Sequence, residues 1–220
     1  MSLIILSYYL SPTTPLYGNG GSIEFSSEKN ISNGDSCNTT SLSFSNHSGT
    51  HIDFPYHFDE KGKKLNDYPA NFWEFNFVEI VDLSGHVEDS QIINEELFEL
   101  DYNAKTDLLL IKTGYGDFRG TNRYTLTPPG LSSDLASYFR KKLPNLRCIG
   151  LDLISISSYS NREEGRKAHH AFLNPKEGNP ILLIEDMKLN NILELKKVLV
   201  APLLIDKADG SPCTVLAYEN

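Results

Sequence analysis

Long apolar runs are missing from this chain. The longest, such as "KVLVAPLLI", fall far short of the ~20 residues that a membrane-spanning helix needs. Basic blocks are missing as well. Lysine and arginine total 20 against 29 aspartates and glutamates, a net charge of −9, which argues against nucleic acid or an anionic membrane surface as the main partner. Cysteine is scarce: Cys37, Cys148 and Cys213 are widely spaced and odd in number. That excludes a disulfide framework and a CxxC site, and it fits a reducing compartment, so a cytoplasmic location is expected. There is no internal repeat, no GxSxG elbow and no phosphate-binding loop. The opening run "LIILSYYL" has no basic stretch before it and reads as a strand, not as a signal peptide.

What remains is an ordinary globular composition, 40% hydrophobic and 22% charged over 220 residues. The length suits one large domain, taken here as 1–220. The first sixty residues are rich in Ser, Thr, Asn and Gly, and "TTSLSFSNHSGTHIDF" reads as strand and turn. Runs that look like buried strands follow: "FNFVEIVDL", "TDLLLIKTG", "RCIGLDLISIS", "PILLIED", "KVLVAPLLID" and "CTVLAYEN". Helices are predicted between several of them. "SSDLASYFRKKLP" has a serine cap, basic residues in its last turn and a proline stop. "NREEGRKAHHAFLNP" opens with Asn161 and Glu164 at capping-box spacing and ends before Pro175. "IINEELFEL" reads as a helix with a solvated charged face, and "GDFRGTNRYTLTPPG" as a loop. Strands alternating with helices after a β-rich start predict a single mixed α/β domain.

One stretch stands out. "NHSGTHIDFPYHF" holds three of the six histidines, His47, His51 and His57, with Asp53 among them. Pro55 argues against a helix, since its ring would clash with the preceding turn. In a straight strand, residues 47 and 51 would lie about 13 Å apart, too far to share one ion. A common ligand therefore requires a bend at Ser48-Gly49, where glycine takes positive φ freely. Pro55 is expected to fix the exit path and set His57 apart from the other three.

The segment "HSGTHIDFPYH" fits HxGTHxDxPxH at every fixed position. On these residues the chain resembles the cyclase family of metal-dependent hydrolases, of the bacterial kynurenine formamidase and isatin hydrolase kind. "LSPTTPLYG", "LLLIKTG", "IGLDLISIS" and "GRKAHHAFL…ILLIED" are similar to further family segments and extend the resemblance over most of the chain. It implies a mixed α/β fold with a swivelling β/β/α core and a homodimer or homotetramer. It also implies one or two divalent metal ions, zinc first and manganese second. His47, His51 and Asp53 would hold the first ion, and Asp53 would bridge to a second held by a late histidine and a late acid. His57 would carry protons.

Of the two late histidines, His169 shares a helix face with Gly165, Phe172 and Leu173, whereas His170 lies on the basic face with Arg166 and Lys167. His169 is therefore the expected ligand. Glu185, at the end of "PILLIE", is chosen over Asp186 on the family pattern. Asp152 reads as a buried structural acid and His86 as a turn residue. Tyr17 stands where the formamidases carry a tryptophan against the substrate, while the only tryptophan, Trp73, lies elsewhere.

Imidazoles and carboxylates suit a divalent ion that activates water and polarises a carbonyl. The expected reaction is hydrolysis of a small amide, formamide, lactam or ester-like bond. The alternatives are a metal-dependent cyclase or lyase, and a non-catalytic metal-binding protein.

Overall fold

In a computed structural model, which describes residues 2–98, 103–174, 176, 178–192 and 194–219, the strands in chain order are β1 (Leu3–Ile5), β2 (Glu24–Lys29), β3 (Thr39–Ser43), β4 (His51–Asp53), β5 (Glu74–Phe75), β6 (Val78–Asp82), β7 (Ile92–Ile93), β8 (Leu108–Lys112), β9 (Gly130–Leu131), β10 (Cys148–Leu151), β11 (Leu182–Glu185), β12 (Leu195–Pro202) and β13 (Gly210–Glu219). The helices are α1 (Asn122–Leu126), α2 (Asp134–Lys142) and α3 (Arg162–Leu173). This is the mixed α/β architecture that the strand and helix runs predict.

Nine strands form one mixed sheet in the order β5-β12-β13-β4-β11-β10-β8-β6, with β1 on β13. β6, β8, β10 and β11 are parallel, whereas β4 runs antiparallel to both of its neighbours. The parallel strands are apolar without alternation because both faces are covered. Leu108 to Ile111, Cys148 to Leu151 and Leu182 to Ile184 are all buried. The core continues into Phe139 of α2 and Phe172 of α3, whose rings approach to 6.3 Å.

The two longer helices are tied to each other. Asn161 caps α3 by accepting from the Glu164 amide, but the Glu164 carboxylate does not reach back to close a capping box. It accepts instead from the amide and hydroxyl of Ser133 at the start of α2. Ser133 is thus a tether and not the side-chain cap that the sequence suggests. At the other end of α3, Arg140 donates to the carbonyls of Ala171 and Phe172, which the helix leaves without partners. Pro175 lies outside the described residues.

Two local expectations are corrected. "IINEELFEL" is not a helix over its described part: Ile92–Ile93 pairs with β9, and Asn94 accepts from the Glu96 amide to start a 3₁₀ turn over Glu95–Leu97. Residues 99 and 100 lie outside the described set. "GDFRGTNRYTLTPPG" is not simply a loop, because it contains a 3₁₀ turn at Tyr115–Phe118, α1 and β9. No helix among the described residues is long and apolar enough to cross a membrane.

Candidate metal centre

β4 lies between β11 and β13, and register decides what meets there. His51 is opposite Glu185 on one side, and Asp53 is opposite Gly210 on the other. His169 reaches the same place from α3. These four ionisable side chains are nearly inaccessible: His51 is 4% exposed, Asp53 1%, Glu185 3% and His169 5%. His170, by contrast, is exposed.

His51 Nε2 lies 3.5 Å from Asp53 Oδ1 and 3.4 Å from Glu185 Oε2. His169 Nε2 lies 3.7 Å from Asp53 Oδ2 and 3.6 Å from Glu185 Oε1. On each ring the other nitrogen is committed. His51 Nδ1 donates to the Gly49 carbonyl and His169 Nδ1 to the Gly165 carbonyl, both at 2.8 Å. A neutral ring held this way presents a bare lone pair at Nε2, facing carboxylate oxygens that also only accept. Separations of 3.4–3.7 Å are too long for good hydrogen bonds. They match the roughly 3.4 Å between two ligands on a tetrahedral ion with bonds of about 2.1 Å. The donor set therefore fits a divalent cation. Burial disfavours a charged His169, but the Glu185 and Asp53 carboxylates outweigh it and raise its pKa; the same field favours a cation between them. Glu185 is itself anchored, since Oε1 accepts from Ser155 Oγ at 3.0 Å and from the Ile156 amide at 2.7 Å. Such outer partners aim a ligand.

A second cluster adjoins the first and shares Asp53. Gly49 sits at φ +67°, the bend the motif requires, and turns the chain so that His47 meets Asp53 from another side. His47 Nδ1 is 2.9 Å from Asp53 Oδ1, and its Nε2 is 2.9 Å from Asp209 Oδ2. The same Asp209 oxygen takes His57 Nδ1 at 2.9 Å, while Asp209 Oδ1 accepts from Asn46 at 2.7 Å. Burial would lower the His47 pKa, but the two carboxylates hold it up to about 9. Burial lowers that of His57, against the pull of Asp53 and Asp209. Burial likewise opposes ionisation of Asp209, yet bonds from His47, His57 and Asn46 bring it down to about 2. Ligand atoms of His47, Asp53 and His57 lie within 4.8 Å of one another, as do those of His51, Asp53 and Glu185.

The expectation that Pro55 sets His57 apart from the other three is corrected. Pro55 opens a 3₁₀ turn over Pro55–His57, which brings the His57 ring to 4.1 Å from that of His47. Asp209 is the residue that sequence reasoning missed. It lies 152 positions from His57 and precedes a glycine, so "ADGSP" carries only a turn signal.

The two clusters line a cavity of about 380 Å³, walled by Tyr17, Leu16, Phe58 and Ile154. Asp152 stays outside it and accepts from Thr113 and the Gly114 amide, a structural role. Trp73 packs with Phe54, Tyr68 and Phe72, and His86 is exposed in a turn.

Gly165 is what lets α3 approach this closely. A Cβ there would meet Ser157 Oγ at 2.1 Å and Ser157 Cα at 2.9 Å. Alanine normally stabilises a helix interior over glycine by about 1 kcal/mol. Here Gly165→Ala is expected to destabilise by about 1–3 kcal/mol through overpacking, and to push His169 outward. Thermal unfolding together with metal content checks it; a raised melting temperature with full metal would contradict the close fit.

Comparison with known proteins places the chain in a family. The Cyclase family matches residues 4–158. A kynurenine formamidase of Bacillus cereus is 33% identical over 178 residues, 80% of this chain and 78% of that protein. One from Geobacillus thermodenitrificans is 29% identical over 212 residues, 95% of this chain and 93% of its own. Among solved structures, isatin hydrolase A from Labrenzia aggregata superposes with a TM-score of 0.81 at 20% identity, covering 98% of this chain and 93% of that one. That likeness concerns the fold.

Proposed function

This chain belongs to the Cyclase family, and from that premise we propose that it is a metal-dependent hydrolase of a small amide, a C–N bond other than a peptide bond. The observation that carries the proposal is the pair of Nε2 lone pairs, on His51 and His169, turned onto Asp53 and Glu185 with no proton donor between them. These four side chains would hold one ion. His47 Nδ1 and Asp53 would contribute to a second, with Asp53 between the two. Two imidazoles with two carboxylates suit zinc, and manganese next. When bound, the ion activates water and polarises the carbonyl under attack.

The rest is done by the chain's own residues. Asp209 fixes Nδ1–H on His57, so Nε2 is the atom left to accept or deliver a proton. The leaving group of an amide is a poor one until its nitrogen is protonated, and a proton carrier supplies that step. Tyr17 and Phe58 give the cavity apolar faces suited to an aryl group. The kynurenine formamidase relatives support an aryl formamide as substrate, with a lactam as the cyclic counterpart. Residues 1–220 are taken as one catalytic domain. The hairpin β2–β3, exposed along both strands with Phe25 and Leu42 uncovered, supports a homodimer or homotetramer. Three unpaired cysteines support a cytoplasmic location.

Metal analysis followed by a screen of formanilides, lactams and lactones tests the reading. One to two equivalents of a divalent metal are expected. Chelation is expected to lower the melting temperature by about 5–10 °C, because an ion bound only to the native state stabilises it. Hydrolysis requires one solvent oxygen in the product, and labelled water reads that. A protein indifferent to zinc and manganese would overturn the metal, and a product without solvent oxygen would overturn hydrolysis in favour of a cyclase or lyase.

A further inference from the structure

The face of α3 that carries His169 carries two arginines as well. Arg162, Arg166 and His169 are spaced by four and three residues, so they line one side of the helix. All three line the cavity, the histidine at its buried end and both arginines at its exposed rim. At 1.5 Å per residue, Arg166 lies about 4.5 Å and Arg162 about 10.5 Å along the axis from the proposed metal ligand.

The other four arginines of this acidic protein are engaged, Arg140 on the carbonyls of Ala171, Phe172 and Asn179. Arg119 pairs with Asp186, Arg123 with Asp89, Arg147 with Asp107 and Lys167 with Glu163. Neither Arg162 nor Arg166 makes an ion pair or hydrogen bond among the described residues. Arg162 rests over the Tyr159 ring at 5.7 Å, and that ring meets Tyr17 at 5.3 Å. Burial raises the Tyr17 hydroxyl to about 12, while the charges of Arg162 and Arg166 pull the other way, which places both guanidinium groups within electrostatic reach of the aromatic wall. Two guanidinium groups without an ion pair among the described residues stand at the mouth of a cavity, in a chain of net charge −9. They are not neutralised by neighbours, and a planar fork suits a carboxylate.

We infer that Arg162 and Arg166 select a substrate that bears an anionic group, a carboxylate, several bonds away from the scissile C–N bond. The substrate class becomes a compact aromatic amide with an acid function directed at the rim. The inference rests on the hydrolase reading for the word substrate, but the binding of the anion can be tested apart from turnover.

The metal-loaded full chain is titrated by calorimetry with 2-aminobenzoate and with its uncharged counterpart 2-aminobenzamide, as wild type and as R162Q/R166Q. The expected result is a Kd for 2-aminobenzoate about 10-fold weaker in the double variant and weaker in high salt, with little change for the amide. In parallel, the ratio of kcat/KM for 2-formamidobenzoate over formanilide should fall by a similar factor, through KM. If neither substrate is turned over by wild type, the aryl formamide reading fails and the titration still decides the anion site. Undetectable binding of 2-aminobenzoate to wild type overturns the inference. So does unchanged affinity in the variant, which would place the carboxylate elsewhere, the metal included. Equal losses for both ligands also overturn it, because they would show a change of cavity shape.

Discussion

His57→Ala is expected to keep most of the metal and to lose about 10²–10⁴-fold in kcat, the usual contribution of a positioned proton carrier. His51→Ala is expected to lose metal and activity together. The contrast follows from where each ring is held. His51 has one nitrogen on the Gly49 carbonyl and the other between Asp53 and Glu185, at the bottom of the centre. His57 has one nitrogen on Asp209 and stands at the cavity side, 29% exposed. Burial lowers its pKa, so the neutral, proton-accepting form persists to lower pH than for a free imidazole. Loss of its neutral form should therefore set an acidic limb of the kcat profile below about pH 6.5. Metal content and pH-dependent turnover are measured on both variants. If His57→Ala empties the centre, the ring is a ligand through its contact with His47 and Asp53, and the proton must be carried by another group.

Parts of this centre were legible in the sequence for a simple reason: four of the residues lie within eleven positions, so chain connectivity alone brings them near. The bend at Gly49 follows from the distance that two histidines on a straight strand would otherwise span. His169 follows from helix periodicity, because the apolar face that Phe172 and Leu173 bury is the face it shares. Glu185 is different in kind. Its place opposite His51 is a matter of strand register between β11 and β4, two segments more than a hundred residues apart, and no local pattern encodes that pairing. The choice of Glu185 over Asp186 came from the family pattern. In the fold, Asp186 has φ +52° and turns to pair with Arg119 and Tyr124. The short elements between Gly116 and Leu131 were illegible because their turns are closed by tertiary contacts, such as β9 on β7, and not by strong local propensity.

Asp209→Asn is expected to lower kcat about 10²-fold, with KM little changed and the metal partly retained. The size sits at the upper end of what partners of metal-site histidines contribute, because one carboxylate serves two rings. Its Oδ2 takes both His47 Nε2 and His57 Nδ1, and its Oδ1 takes the Asn46 amide. An asparagine has one acceptor oxygen for these three donors. If that oxygen faces the histidines, the new NH₂ faces the NH₂ of Asn46, which is also bound to the Gly210 carbonyl and cannot turn over without losing that bond. If the NH₂ faces the histidines, His47 Nε2 and His57 Nδ1 must become acceptors, and each ring is driven to the opposite tautomer. The His57 proton then sits on the nitrogen that should receive one. Removal of the negative charge also favours neutral His57, so the acidic limb of the kcat profile moves to lower pH even as the plateau falls. Asp209→Glu keeps the acceptors and the charge and should recover part of the rate, whereas a purely structural role would show equal losses in both variants together with a lowered melting temperature. Steady-state kinetics across pH, metal content and thermal unfolding on the two variants separate these outcomes. An Asp209→Asn protein with full kcat would show that neither histidine depends on this carboxylate.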